Sequence, residues 1–123
     1  MAQQTVRLSV PAEPSYARAV RMMAANLAVL CDMSVDDVED VRMAAEEGFV
    51  MCCATAPESC EVTFTLEEGE VCTAFDLGEA DTASDDSFGF AKLLLDAVCA
   101  DYGVNEDGTQ LYLVNRVGVA DGE

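Results

Sequence analysis

Alternating apolar and polar residues mark the first element of the chain. In residues 5–10 every second side chain is aliphatic, at Val6, Leu8 and Val10. A period of two is typical of a strand with one buried face. The segment that follows is Pro-x-x-Pro, and proline suits the end of a strand or the first turn of a helix. The pattern therefore predicts a strand that the two prolines bring to an end.

Two helices are predicted next, because apolar residues then recur at intervals of three and four. The first runs from Ser15 to about Leu30. The second begins at Ser34, which has with Asp37 the spacing of a capping box. Acidic residues after this start suit the positive end of the helix dipole. We expect the second helix to extend to about Ala54.

A hairpin follows the second helix. Residues 60–66 and 71–77 both alternate, and four residues of the type Glu-Glu-Gly-Glu join them. Two short alternating segments with a glycine-containing connection are typical of a β-hairpin. Residues 78–87 are small and acidic without apolar periodicity, so we expect a loop there.

The last elements complete a prediction of fold class. Residues 90–102 have helical spacing with Gly103 as a C-terminal stop, and residues 110–117 alternate as a final strand. Too few helices lie between strands for a doubly wound sheet. We therefore expect an α/β (α+β) two-layer sandwich, with a mixed sheet of at least four strands and helices on one face. Residues 1–120 are expected to form a single domain, with residues 121–123 as a tail.

Composition is consistent with one domain and one core. The chain has 123 residues, of which 51% are hydrophobic. The opening residues MAQQTVRLSV contain no basic region followed by an apolar stretch, so we expect no signal peptide. No apolar segment approaches the roughly 20 residues that a membrane span needs. We expect a cytoplasmic protein that does not enter a membrane.

Six cysteines and the absence of histidine limit the metal chemistry. Disulfides need an oxidising compartment, and nothing in the sequence indicates one, so we expect reduced thiols that act mostly as small core residues. There is no C-x-x-C motif and no histidine, which argues against a zinc site. The adjacent Cys52 and Cys53 are open to two interpretations, a redox pair or core packing, and their apolar helix favours packing.

The formal net charge of −18 excludes one class of partner. Nucleic-acid binding needs clustered cations that replace phosphate counterions, and this chain has six Lys and Arg against 24 Asp and Glu. We expect no nucleic-acid partner. A basic protein partner is compatible with the charge, and so is acidity that only maintains solubility.

The second predicted helix contains the most informative residues. Between residues 43 and 56 its only charges are Glu46 and Glu47, which lie about 100° apart around a helix. One of them can therefore line a cleft while the other is solvated. A carboxylate beside apolar walls has a raised pKa and can act as a general base. The alternative is that both lie on the rim of a buried helix without a chemical role.

The segment Asp40-Val-Arg-Met-Ala-Ala-Glu46-Glu47, after a strand that ends in Pro-x-x-Pro, resembles the anti-sigma-factor serine kinases of the GHKL ATPase superfamily. The resemblance implies a histidine-kinase-like ATPase (Bergerat-type) fold. It also implies an E-x-x-x-N box, in which the Glu activates a hydroxyl and the Asn coordinates Mg²⁺ bound to ATP. Glu47 occupies the base position. The Asn position is Met51, whose thioether does not suit a hard cation.

A second match lies after the hairpin, where Asp76-Leu-Gly78-Glu-Ala80 is similar to the D-x-G-x-G box of that family. By resemblance, Asp76 accepts a hydrogen bond from the adenine amino group and Gly78 lets the backbone approach the nucleotide. The second glycine of the box is replaced by Ala80.

A third match is Ser87-Phe-Gly89-Phe, where the family has G-x-G at the start of a helix. Gly89 keeps its glycine and Ser87 does not. In the nucleotide site that the resemblance implies, Lys92 of the third predicted helix is placed to reach a phosphate group. No other Lys or Arg lies between Arg42 and Lys92, although twelve acidic residues do. Since triphosphate binding needs cations, Mg²⁺ or clustered backbone N–H groups, the altered boxes indicate weakened nucleotide binding.

The acidic residues of the predicted loop suggest one further site. Five acids lie between residues 76 and 86, but they lack the D-x-D-x-D-G spacing of a calcium loop. We therefore predict no metal site there.

Three hypotheses about function follow. The leading hypothesis is an anti-sigma-type regulatory module of bacterial transcription that binds a sigma factor or an anti-anti-sigma protein, with weak or lost turnover of ATP and Mg²⁺. The second is a working ATP-dependent serine/threonine kinase in which other groups replace Met51. The third, from another class, is an acidic cytosolic domain that binds an unrelated small ligand. The family resemblance also implies a homodimer.

Overall fold

The computed structural model describes residues 2–54, 58–77, 85–106 and 108–117, with the backbone alone for residues 85–91. Three helices and five strands lie in these ranges. They are β1 (Gln4–Pro11), α1 (Ala17–Leu30), α2 (Val35–Ala54), β2 (Ser59–Glu67), β3 (Glu70–Asp76), α3 (Asp85–Val98), β4 (Asp101–Val104) and β5 (Gln110–Arg116). The fold is therefore of the α+β class.

The five strands form one sheet in the order β1-β2-β3-β5-β4, and every neighbouring pair is antiparallel. The expectation of a mixed sheet was wrong. The expectation failed because the sequence pattern did not reveal strand β4. The chain leaves β3, passes through α3 and returns as β4 in the same direction as β3, but β5 then turns back and inserts between the two. Strands β3 and β4 therefore run in the same direction but do not pair with each other, because the antiparallel β5 lies between them.

The predicted hairpin of β2 and β3 is confirmed, with Val62 opposite Phe75 and Leu66 opposite Val71. Side chains of the central strands alternate between a fully buried face and a half-buried or exposed one. The buried face is formed by Cys60, Val62, Phe64, Leu66, Val71, Thr73, Phe75, Leu111, Leu113 and Asn115. The predicted inward face of β1 is on this same side, because Val6 lies opposite Phe64.

Helix α2 is the centre of the helical layer. It contacts α1 and α3 as well as β2, β3 and β5. Its buried residues are small except for one aromatic ring: Val41, Ala44, Ala45, Gly48, Phe49 and Cys52. At Gly48 the helix comes so close to β3 that a Cβ atom would overlap the ring of Phe75. Small residues on this face therefore allow the helix to lie directly on the sheet.

The start of α2 confirms the predicted capping box. The backbone N–H of Asp37 donates to Ser34 Oγ at 3.1 Å, and the backbone N–H of Ser34 donates to Asp37 Oδ2 at 3.4 Å. These two bonds give partners to backbone groups that a helix start leaves without them. Helix α1 begins slightly later than predicted, at Ala17, because Pro14–Tyr16 form a single 3-10 turn.

The predicted bounds of the third helix were wrong at both ends. We expected a loop over residues 78–87 and a helix over 90–102, but α3 spans Asp85–Val98. Residues 78–84 lie outside the described part of the chain. The expected helix stop, Gly103, lies in β4 opposite Tyr112. A Cβ atom there would lie 2.8 Å from the Tyr112 hydroxyl oxygen, so the glycine allows an aromatic side chain to cross the strand.

We predict that Gly48→Ala destabilises the protein by about 1–3 kcal/mol, the usual cost of overpacking a core. The sign of this change in unfolding free energy is informative, because alanine in a helix interior is otherwise more favourable than glycine by about 1 kcal/mol. Urea denaturation measures the change. Val50→Ala, at an exposed position of the same helix, is the control and should change stability little. A Gly48→Ala variant as stable as the wild type would contradict the close approach.

We further predict that Ser34→Ala lowers the free energy of unfolding by about 1 kcal/mol, since it removes the side-chain acceptor of the capping box. Ser34→Asn, which keeps a side-chain acceptor, should retain most of the stability. Thermal unfolding followed by circular dichroism compares the two variants. Equal losses for alanine and asparagine would show that the cap does not contribute.

Candidate functional site

The candidate site is built where α2 crosses the end of β3. Besides the contact of Gly48 with Phe75, the Cys52 thiol donates a hydrogen bond to the backbone carbonyl of Asp76 at 3.3 Å. The thiols of Cys52 and Cys60 also contact each other, and this contact together with burial raises the pKa of Cys60. Cys60 therefore stays protonated near neutral pH. These contacts hold the helix over the strand end that carries Asp76.

The adjacent glutamates of α2 lie on opposite flanks of the helix. Glu46 forms an ion pair with Arg21 of α1, with 3.2 Å between Oε1 and Nη1. Because each residue turns the helix by about 100°, Glu47 cannot face α1 as well. Of the two glutamates, Glu46 is therefore the one engaged in a structural contact.

Glu47 belongs to a flank of α2 that faces α3, and we call Asp40, Glu47 and Met51 the α3 flank. Asp40 fixes the side, because burial and then the Asp40 carboxylate raise the pKa of Cys99, just after α3, to about 12. Glu47 follows Asp40 by seven residues and Met51 follows Glu47 by four, spacings that keep them on one side of a helix.

The Glu47 carboxyl has the environment of a candidate base. It is half-buried, and burial, followed by the neighbouring charge of Glu46, raises its pKa. No described residue donates a hydrogen bond to it. Met51 is also half-buried and packs against the hydrophobic core. The turn after Glu47 therefore presents a thioether rather than an oxygen ligand, and these residues do not fit Mg²⁺.

Asp76 lies at the end of β3 with an exposed side chain. Its Oδ1 accepts a hydrogen bond from Gln110 Nε2 of β5 at 3.3 Å. The next residue, Leu77, is buried, and its backbone N–H donates to the Thr109 carbonyl. Gly78 and Ala80 lie outside the described residues. The family resemblance assigns Glu47, Asp76 and Gly78 to one nucleotide site, with Glu47 rather than Glu46 facing the cleft; this arrangement stays a prediction, although α2 does lie over this strand end.

The third box falls inside α3 rather than before it. Residues 87 and 89 both belong to the first turns of that helix, and their side chains are not described. Lys92 is exposed and engaged within its own helix, since Nζ lies 3.8 Å from Asp96 Oδ2. Its ammonium group also donates to the Tyr102 hydroxyl at 3.2 Å, and that hydroxyl donates in turn to Asp96. A phosphate would have to compete with this network for Lys92.

Several partners of the candidate site were not predicted from the sequence. Arg21 and Gln110 lie far along the chain from the acids that they contact, 25 and 34 residues away. For Arg21 one signal was available: basic residues are rare in this chain, so each basic residue is a candidate partner for an acid on the facing element. No such signal exists in the sequence for Gln110.

Metal and membrane features can be assessed for the part of the chain that is described. Within it, no three Cys, Asp or Glu side chains converge on a point that could hold a metal ion. None of its helices combines the length and the apolar character that crossing a membrane requires.

No protein-family model and no curated protein sequence matches this chain.

We predict that Glu47→Gln raises the melting temperature at pH 7. A carboxyl whose pKa is raised by folding makes the folded state less stable as the pH rises above the unfolded-state value of about 4.3. The gain should therefore shrink as the pH is lowered toward that value. Thermal unfolding between pH 4 and pH 7 measures it. A lower melting temperature for Glu47→Gln at pH 7 would contradict the burial of this carboxyl.

Glu46→Gln is the matched control. It removes the pair with Arg21, so at pH 7 it should lose up to about 1 kcal/mol, the usual range for a partly exposed ion pair. At pH 7 we therefore expect Glu46→Gln to lower the stability and Glu47→Gln to raise it, because the two carboxylates lie on different flanks of α2.

Proposed function

We propose that this protein is a divergent relative of the anti-sigma-factor serine kinases, with a divergent histidine-kinase-like ATPase fold. It regulates transcription by binding a protein partner, a sigma factor or an anti-anti-sigma protein, with weak or lost nucleotide turnover. Support comes from the order of the matching elements. Glu47 lies on a central helix, Asp76 ends the second strand of the hairpin, and Gly89 lies in the first turns of the next helix.

The observation that carries the proposal is Met51, one turn after Glu47 on the α3 flank. Phosphoryl transfer depends on positioning and on neutralisation of phosphate charge, largely by Mg²⁺. A methionine packed against the core offers no oxygen to that ion. Lys92 is already engaged with Asp96 and Tyr102, so it does not readily replace the missing charge.

Charge favours a protein partner over a nucleotide. With a formal net charge of −18, the chain attracts basic surfaces and repels a polyphosphate. Electrostatic complementarity of this kind increases the association rate of protein partners. The proposed role therefore uses the acidity that opposes nucleotide binding.

A working ATP-dependent serine kinase is the second candidate, and one observation favours it. The pKa of Glu47 is raised by burial, as expected for a general base that must accept a proton near neutral pH. This alternative requires oxygen ligands for Mg²⁺ from residues other than Met51.

We predict that Mg²⁺-ATP binds the wild-type protein with a Kd above about 1 mM, that is, with no more than about 4 kcal/mol of binding free energy. Isothermal titration calorimetry measures this Kd. The triple variant Met51→Asn, Ala80→Gly, Ser87→Gly should bind more tightly, because it restores the metal ligand and both glycines of the family boxes. A low-micromolar Kd for the wild type, or phosphate transfer to a partner serine, would establish the kinase alternative instead.

Partner binding is tested separately, by biolayer interferometry of the wild-type protein against purified sigma factors and anti-anti-sigma proteins. The proposal expects a saturable complex whose association rate falls as salt is added, since the attraction is electrostatic. Absence of a complex with every member of both classes would overturn the proposed partner.

A further inference from the structure

Two buried cysteines meet where the end of α2 lies over the start of β2. Cys52 belongs to the last turn of α2, and Cys60 is the second residue of β2. Both side chains are fully buried, and their thiols are in hydrogen-bond contact. All six cysteines of the chain are reduced. The fold therefore holds two reduced sulfur atoms side by side.

The hydrogen bonds of these two thiols have a defined direction. Cys60 donates to the sulfur of Cys52, and this contact raises the pKa of the donor and lowers the pKa of the acceptor. Cys52 donates in turn to the backbone carbonyl of Asp76 at 3.3 Å. A thiol has a single proton to donate. The contact with the Asp76 carbonyl therefore depends on the proton of Cys52.

The other thiols near this point are placed differently. Cys53 is about 100° further around α2 and is half-buried. Cys31 is fully buried at the end of α1. Neither of them forms a hydrogen bond with another thiol of the described residues. Of the two possible partners of Cys52, the contacts favour Cys60 over the adjacent Cys53.

We propose that Cys52 and Cys60 are a redox switch that forms a reversible disulfide with hydrogen peroxide. The Cys52 sulfur attacks one peroxide oxygen, the O–O bond breaks, and the other oxygen leaves as water with the Cys52 proton. The Cys60 sulfur then attacks the Cys52 sulfur, the S–O bond breaks, and a second water carries away the Cys60 proton. Two electrons pass from the thiols to the peroxide, and a dithiol reductant reverses the change.

Peroxide reaches the pair through the end of α2. Helix ends open locally at a much lower free energy than the whole fold, and Cys52 is three residues from the last residue of this helix. Cys53, next to it, is already partly exposed. Oxidation by so small a molecule therefore needs local opening of one helical turn and not unfolding of the core.

The disulfide would act on the strand end that carries Asp76. A disulfide sulfur has no proton, so the Asp76 carbonyl loses its thiol donor when the bond forms. Disulfides in reducing compartments are usually transient and redox-sensing, as this role requires. The switch does not depend on the proposed regulatory function, because neither cysteine belongs to a family box.

The test is oxidation of the native wild-type protein with hydrogen peroxide, then denaturation, alkylation of the remaining thiols and digestion with a protease that cleaves after glutamate. Cleavage after Glu58 and Glu61 isolates Cys60 in a three-residue peptide. We expect this peptide to be disulfide-linked to the α2 peptide with Cys52, with two of the six thiols lost and both restored by dithiothreitol. No loss of thiols, or links spread over all the cysteines, would overturn the proposal.

Two variants identify the second sulfur, because the α2 peptide also contains Cys53. Cys53→Ala leaves one thiol in that peptide and should keep the link to Cys60, whereas Cys52→Ala should abolish it. Loss of the link in Cys53→Ala would overturn the assignment, whether or not Cys52→Ala folds. Cys31, equally buried at the end of α1, is the internal control and should stay reduced. Oxidation of Cys31 at the same rate would show that unfolding, and not the contact of the two thiols, governs the reaction.

The effect on Asp76 is measured by NMR of the reduced and oxidised wild-type protein. The backbone carbonyl carbon resonance of Asp76 should shift on oxidation and return on reduction, because the thiol donor is lost and regained. The carbonyl of Val71, at the other end of β3, is the control and should not move. An unchanged Asp76 resonance in fully oxidised protein would overturn the link between the disulfide and the candidate site.

Discussion

The contact between Gly48 of α2 and the Phe75 ring of β3 is the constraint on which the helical layer depends. Helix α2 lies between α1 and α3 and touches three strands, so its distance from the sheet sets the position of both neighbours. A side chain at Gly48 would move the helix away from the strand. The same close approach brings the Cys52 thiol to the Asp76 carbonyl, so one packing contact aligns the core and the candidate site. Close-packed interiors transmit such displacements rather than absorb them.

That placement explains why two adjacent glutamates differ. With one face of α2 fixed on the sheet, the rotation of the helix leaves Glu46 beside Arg21 of α1 and Glu47 on the α3 flank. The first carboxylate has a cation at 3.2 Å, and the second has a raised pKa and no described donor. Environment rather than residue type therefore separates a structural acid from a candidate functional one.

Local patterns predicted the elements whose determinants are local. The capping box at Ser34 needs two residues three apart, and it was found; the strand alternation and the hairpin needed only a period of two. Prediction failed where partners are distant in sequence. The local pattern predicts a helix stop at Gly103, because no nearby residue shows that Tyr112 crosses it. Likewise the family resemblance distinguished Glu47 from Glu46, but nothing near Glu46 in the sequence indicated its ion pair with Arg21. Asn115 continues the inward alternation of Leu111 and Leu113, but its hydrogen-bond partner, the Val98 carbonyl, is 17 residues away and was not predicted.

Which acidic residues have a cationic partner matters more for this protein than its net charge. Within the described ranges, Arg21, Arg42, Lys92 and Arg116 form ion pairs with carboxylates. Asp40 and Glu47, on the α3 flank, are partly buried with raised pKa values and have no such cation. Each makes folding less favourable near neutral pH, so neither is explained by stability. They lie about 10 Å apart along α2, close to the screening length in physiological salt, so a cation at one changes the other only weakly. The flank thus carries two acidic positions whose protonation is nearly independent.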